Sequence, residues 1–179
     1  TKVEAVSGTA LKLAWTPVSG AAGYEVWRAA STSGPFTLVR RTTATGFTNT
    51  YLTPGKTYVY KVRTYNLRNG TIIASGAFSA AAIGVPLAKP AFTSLSGIGR
   101  DRVTLTWSKV AGATGYQVLR SGTAAGAYKL VRTLTGTSTT ITGLTPGTVY
   151  YFKVQAYKKL YTTLYYSPLS AYKGMKTLR

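Results

Sequence analysis

Residues 52–65 read Leu-Thr-Pro-Gly-Lys-Thr-Tyr-Val-Tyr-Lys-Val-Arg-Thr-Tyr, a Pro-Gly turn running into a strand with alternating side chains. Residues 144–157 repeat the pattern as Leu-Thr-Pro-Gly-Thr-Val-Tyr-Tyr-Phe-Lys-Val-Gln-Ala-Tyr, 92 positions on. The same offset relates Trp15 to Trp107, and Gly23-Tyr24-Glu25-Val26-Trp27-Arg28 to Gly115-Tyr116-Gln117-Val118-Leu119-Arg120. Two copies of about ninety residues are too long for solenoid repeats and suit two small domains. Two prolines in Val85-Pro86-Leu87-Ala88-Lys89-Pro90 mark the boundary, so we expect domains at 1–86 and 87–179 joined by a stiff linker.

Within each copy the apolar period is two, as in Leu11, Leu13, Trp15 and in Val103, Leu105, Trp107, and no window offers a helical stripe. In the first copy this predicts strands near 2–7, 10–16, 24–29, 36–42, 46–49, 56–65 and 77–85. Seven short strands separated by turn signals predict an all-β fold, a β-sandwich in each copy. A domain this small buries only about 60% of its unfolded surface, so Trp15, Tyr24, Val26, Tyr58, Tyr60 and Val62 are expected to carry much of the core energy.

Composition excludes most catalytic chemistry. The 179 residues include no Cys and no His, and the only carboxylates are Glu4, Glu25 and Asp101. There is thus no thiol nucleophile, imidazole base, disulfide or zinc cage, and three scattered acids do not make a paired-carboxylate hydrolase or a calcium site. We expect no enzyme activity, no cofactor and no metal. The Ser108-Lys109 pair would need a buried lysine in a shaped pocket to work as a Ser-Lys nucleophile. Against three acids stand 22 Lys plus Arg, a net charge of +19. The charge is uneven: nine basic and two acidic side chains in residues 1–88, thirteen and one in residues 89–179. The longest apolar stretch, near residues 77–88, is too short to span a bilayer. The chain opens at Thr1 with no signal peptide or initiator Met, so a longer parent protein is expected.

The single tryptophan of the second strand, the Gly-Tyr-x-Val-x-Arg strand and the Leu-x-Pro-Gly-x-x-Tyr-x-x-x-Val segment together resemble the fibronectin type III family. They are most similar to the version found in bacterial secreted and surface proteins, and the resemblance covers both copies nearly end to end. It implies two tandem seven-stranded immunoglobulin-like sandwiches, a monomer in a tandem array, and an extracellular or cell-surface location. It also implies that Tyr58 and Tyr150 form tyrosine corners, each hydroxyl bonding back to its turn, a contact worth about 1 kcal/mol. Trp15 and Trp107 are the matching structural tryptophans. The loops before the last strand, 66–71 and 158–163, lack the Arg-Gly-Asp tripeptide of integrin-binding relatives.

In this fold the third and sixth strands are neighbours. With Tyr58, Tyr60, Val62 and Thr64 inward, alternation turns Val59, Lys61, Arg63 and Tyr65 outward, beside Glu25 and Trp27. The second copy collects Gln117, Leu119, Tyr151, Lys153, Gln155 and Tyr157, followed by Lys158 and Lys159. The candidate binding face is therefore Trp27, Lys61, Arg63, Tyr65, Tyr151, Lys153, Tyr157, Lys158 and Lys159. Its cations and rings suit an anionic polymer or a glycan. They equally suit cross-strand packing and a soluble sheet edge. Lys158-Lys159-Leu160-Tyr161 and Leu164-Tyr165-Tyr166 add rings and cations to one loop, and make the second copy the better candidate binder. Glu25 is expected in a surface ion pair with Lys61 or Arg63, and Asn69-Gly70 in a hairpin turn, although Asn69-Gly70-Thr71 also matches a glycosylation acceptor.

Three functions follow. The first is a non-catalytic spacer and interaction module of a bacterial surface or secreted protein, bound to teichoic acid, an anionic polysaccharide or another polyanion. The alternative is an accessory carbohydrate-binding or linker unit of an extracellular polysaccharide-degrading enzyme, facing a neutral glycan. Nucleic-acid binding ranks last, because no recognition motif accompanies the charge.

Overall fold

The computed structural model describes residues 1–74 and 76–179. It divides into two compact units, Thr1–Pro86 and Leu87–Arg179, and the described residues contain strands and turns but no helix. The first unit contains β1 (Lys2–Ser7), β2 (Ala10–Ala14), β3 (Gly23–Ala29), β4 (Thr37–Thr42), β5 (Gly46–Asn49), β6 (Tyr58–Arg68), β7 (Thr71–Ala74) and β8 (Ala82–Gly84). The second repeats them as β9 (Phe92–Ser96), β10 (Val103–Trp107), β11 (Gly115–Ser121), β12 (Lys129–Leu134), β13 (Ser138–Ile141), β14 (Val149–Leu160), β15 (Thr163–Tyr166) and β16 (Lys173–Lys176). Each unit is a sandwich of two antiparallel sheets. The smaller sheets run β1-β2-β5 and β9-β10-β13, and the larger run β4-β3-β6 and β12-β11-β14. In each larger sheet the long sixth strand carries two further short strands, β7 and β8 on β6, β15 and β16 on β14.

Of the final strand expected at residues 77–85 only Ala82–Gly84 forms, and a further short strand, Thr71–Ala74, precedes it across an irregular passage. Ser79 spans that passage in the first unit, its N–H donating to Val62 O (2.7 Å) and its Oγ accepting from Val62 N (3.1 Å). Ser170 repeats both contacts with Val154, each at 2.9 Å. The 92-residue offset does not survive here. Gly84 pairs with Tyr58 and Met175 with Tyr150, so the second copy is one residue shorter between its last strands. The loop expected at residues 66–71 is also smaller. Strand β6 continues to Arg68 and a two-residue turn follows, with Asn69 and Gly70 both at positive φ, 51° and 76°. That is the backbone a tight hairpin requires, and Asn and Gly adopt it at little cost.

Between the sheets of the first unit, Leu11, Leu13, Tyr24, Val26, Leu52, Tyr60 and Val62 form the buried core. Burying one such aliphatic side chain stabilises by about 1.5–3 kcal/mol. Trp15 and Tyr58, expected at its centre, pack at its margin instead. Trp15 lies just beyond β2 and meets Tyr24 edge to face at 5.5 Å, as Trp107 meets Tyr116 at 5.6 Å. Tyr24 and Tyr116 are fixed at the other end, their hydroxyls accepting from the backbone N–H of Val18 and Val110 at 2.8 Å.

Candidate binding face

The outer face of the first unit's larger sheet is set by register. Glu25 on β3 stands directly opposite Arg63 on β6 and Arg41 on β4, whereas Lys61 stands opposite Trp27. The carboxylate accordingly accepts from Arg63 Nε at 2.8 Å, Arg41 Nε at 2.9 Å and Trp27 Nε1 at 3.2 Å. Glu25 is only 1% exposed. Burial by itself would raise its pKa, but the hydrogen bonds from Arg63, Arg41 and Trp27 outweigh it and hold the carboxyl below its ordinary range. The expected pair with Arg63 forms, but the carboxylate is buried where a surface pair was expected. The group is a buried anion between two arginines, and Lys61 is directed elsewhere.

The remaining outer positions complete a closed surface. Arg63 lies over the Trp27 ring (5.1 Å) and the Phe78 ring (4.9 Å), and those rings meet edge to face at 5.7 Å. Lys61 Nζ sits 4.6 Å above the Phe36 ring. Val59 is buried, and Tyr65 is only 9% exposed with its hydroxyl end over Gly23. Of the four candidates in this unit, Tyr65 presents little ring surface, and Trp27, Lys61 and Arg63 are all engaged by their own neighbours. Alternation assigned the face correctly. It carries no information on whether neighbours on the same face cover each other.

The second unit fills the same positions differently. Gln117 replaces Glu25 and is paired in register with Gln155 and Thr133, so no charge remains at the centre of the face. Gln117 Nε2 is 3.4 Å from Tyr166 Oη, and Gln155 Nε2 donates to Ser167 O at 2.6 Å. Lys153 Nζ lies 4.3 Å above the Tyr128 ring, the counterpart of Lys61 over Phe36. Tyr151 crosses over Gly174, its opposite partner on β16, and meets Tyr172 edge to face at 5.5 Å. Tyr128 belongs to the same group. Burial first, then the nearby Tyr172 and Tyr151 hydroxyls, raise its pKa above the ordinary tyrosine value. Further along β14, Tyr157 lies over Gly115 and meets Tyr166 at 6.3 Å. The face therefore runs from Tyr172 and Tyr151 to Tyr157 and Tyr166. The six residue steps from Tyr151 to Tyr157 correspond to about 20 Å of strand.

The structure brings Tyr151, Lys153 and Tyr157 to one face and continues β14 through Lys158 and Lys159 to Leu160. Sequence reasoning missed Phe36, Tyr128, Tyr172, Phe78 and Arg41. An aromatic residue at both 36 and 128 was a legible signal, since the pair keeps the 92-residue offset. Tyr172 lies beyond the one-residue slip and has no such marker. Both corner tyrosines close their turns, with Tyr58 Oη accepting from Thr53 N at 2.9 Å and Tyr150 Oη from Thr145 N at 3.0 Å. Arg28 and Arg120 lie over the two rings at 5.3 and 5.2 Å. No group of three His, Cys, Asp or Glu side chains that could hold a metal occurs among the described residues.

Two sandwiches with these repeated turns and pairings define the class of protein. The chain belongs to the fibronectin type III domain family, whose model matches residues 1–73 and 88–171. It is 32% identical over 165 residues to Exoglucanase B of Cellulomonas fimi, covering 84% of this chain and 14% of that protein. It is 31% identical over 163 residues to Chitinase A1 of Niallia circulans, covering 84% and 22%. The chain thus spans less than a quarter of the length of these relatives. The two fibronectin type III domain segment of chicken tenascin shares the fold, with a TM-score of 0.50 at 21% identity over 98% of this chain and 96% of that one.

Proposed function

We propose that this chain is a non-catalytic accessory unit of a polysaccharide-degrading enzyme, and that the outer tyrosine face of its second module contacts a neutral glycan. The observation that carries the reading is the face from Tyr172 and Tyr151 to Tyr157 and Tyr166, with Lys153 held over the Tyr128 ring and Gln117 and Gln155 between the outer rings. Rings supply rigid, flat contact area for sugar faces, and amides and hydroxyls supply orientation. Resemblance to an exoglucanase and a chitinase supports the same class of ligand. An extracellular location follows from the reading, because insoluble polysaccharide lies outside the cell. The charge of +19 points toward a polyanion. Yet in the first module Arg41 and Arg63 are spent on Glu25 and Lys61 on a ring, which leaves that face poorly placed to grip one.

The test is retention of the 179-residue chain on cellulose, chitin, an acidic polysaccharide and duplex DNA across a salt series. Retention on a neutral polymer that is insensitive to salt and falls in the Tyr151→Ala/Tyr172→Ala variant is the expected result. Retention only on the acidic polymers, lost steeply with added salt, would replace this reading with the polyanion one.

A further inference from the structure

Three described residues other than glycine have positive φ: Tyr51 (57°), Asn69 (51°) and Tyr161 (54°). The repeat supplies an internal control for each tyrosine. Position 51 corresponds to Gly143 in the second module, where φ is 72°, and position 161 corresponds to Asn69 in the first. The fold imposes this backbone in both copies. Leu52 N donates to Thr9 O and Leu144 N to Asp101 O, each at 2.9 Å, immediately after the first site. The hairpin closes between Arg68 and Thr71 in one module and between Leu160 and Thr163 in the other. Glycine or asparagine meets the requirement cheaply, whereas a bulky L side chain there is disfavoured.

Neither ring is compensated by packing. Tyr51 is 99% exposed and Tyr161 is 97% exposed. Each module thus holds one tyrosine on a left-handed backbone, fully in water, where its sibling uses the inexpensive residue. Residues kept in such conformations concentrate at functional sites, where the local cost is part of the function. Both rings are flanked by exposed threonines, Thr50 and Thr53 beside Tyr51, Thr162 and Thr163 beside Tyr161. No charged residue lies within two positions of Tyr51; beside Tyr161 the turn continues with Thr162 and Thr163, and Lys159 lies two positions before it at the end of β14. A projecting ring with hydroxyls beside it suits an uncharged, hydroxyl-rich surface better than a phosphate or a sulfate.

We infer that Tyr51 and Tyr161 are separate contact points for the faces of neutral sugar rings in a polysaccharide, each acting within its own module. This rests on the proposed accessory role and adds two sites to the tyrosine face of the second module. The test compares Tyr51→Asn, Tyr161→Asn and Tyr161→Phe with the unaltered chain, by urea unfolding and by retention on insoluble cellulose and chitin. Asparagine relieves the backbone and deletes the ring, so each Asn variant should raise the unfolding midpoint and yet weaken retention about threefold to tenfold, as expected for one lost aromatic contact. Tyr161→Phe should keep the retention. Asn variants that bind as tightly as the unaltered chain, while Tyr151→Ala/Tyr172→Ala binds less, would overturn the inference and leave the broader reading standing. Lower midpoints in the Asn variants would overturn the argument from backbone strain. No retention of the unaltered chain on either polymer would overturn both.

Discussion

The outer faces of the two larger sheets occupy equivalent positions on equivalent strands and reach opposite solutions. In the first module one acid, Glu25, draws Arg41, Arg63 and the Trp27 N–H onto itself, and Arg63 lies over the Trp27 and Phe78 rings. In the second, replacing three charged positions with Gln117, Thr133 and Gln155 removes the knot, and tyrosines cover the sheet instead. The lesson is that a basic, aromatic strand pattern does not define a binding surface. The same strand positions form an ion cluster when an acid lies in register with them and a run of aromatic pairs when none does.

The largest expected effect breaks the comparison at its centre. Glu25→Ala leaves Arg63 partly buried without its counter-charge. The cost should be about 2–3 kcal/mol, below that of a fully enclosed pair because the Arg41 side chain is 49% exposed. In urea titrations followed by Trp fluorescence, the first module's transition should move to lower denaturant. Gln117→Ala in the second module should change little.

Acid should act on the same asymmetry to a smaller extent, since protonation removes the charge but not the side chain. The folded pKa of Glu25 is lowered, so its contribution is present above the unfolded carboxylate value of about 4.3 and is lost as pH falls through the folded value. The first module should therefore lose stability in that window, and the Glu25→Gln variant should abolish the pH dependence. A slope that survives the substitution would place the titration elsewhere.

A third substitution sharpens a feature the modules share. Tyr65 and Tyr157 lie over Gly23 and Gly115, their cross-strand partners, and the three atoms nearest a Cβ at Gly23 all belong to the Tyr65 side chain. At Gly115 it would also come within 2.9 Å of Leu134 O, which belongs to the backbone and yields less. Gly23→Ala and Gly115→Ala should each cost about 1–2 kcal/mol, because the cross-strand tyrosine must move to admit the methyl group. A chemical-denaturation cost at Gly115 well above that at Gly23 would show that the Leu134 carbonyl, and not the ring alone, sets the penalty.

The repeat, the sandwich and the inward residues of the sixth strands were legible because they depend on local signals: a period of two, a turn dipeptide and an offset between copies. Tyr24, Val26, Tyr60 and Val62 are buried as alternation predicts. The shortening of the final strand to Ala82–Gly84 was not legible, since residues 77–85 are apolar enough for a strand, and its start depends on where Ser79 meets Val62. The Glu25 cluster was half legible. Its residues were all in view, but pairing with Arg63 and Arg41 rather than Lys61 depends on cross-strand register, and Arg41 lies on a strand preceded by a bulge between Val26 and Trp27.

By itself the sequence determined that this is a pair of similar, strongly basic β domains without the side chains for most catalysis, because composition and periodicity are properties of the chain alone. Only the tertiary structure decided which charges are neutralised, which rings are covered and which tyrosines stand free in water. Those outcomes depend on distances between strands far apart in sequence, and on the left-handed backbone that Tyr51 and Tyr161 share with Gly143 and Asn69 at the equivalent turns.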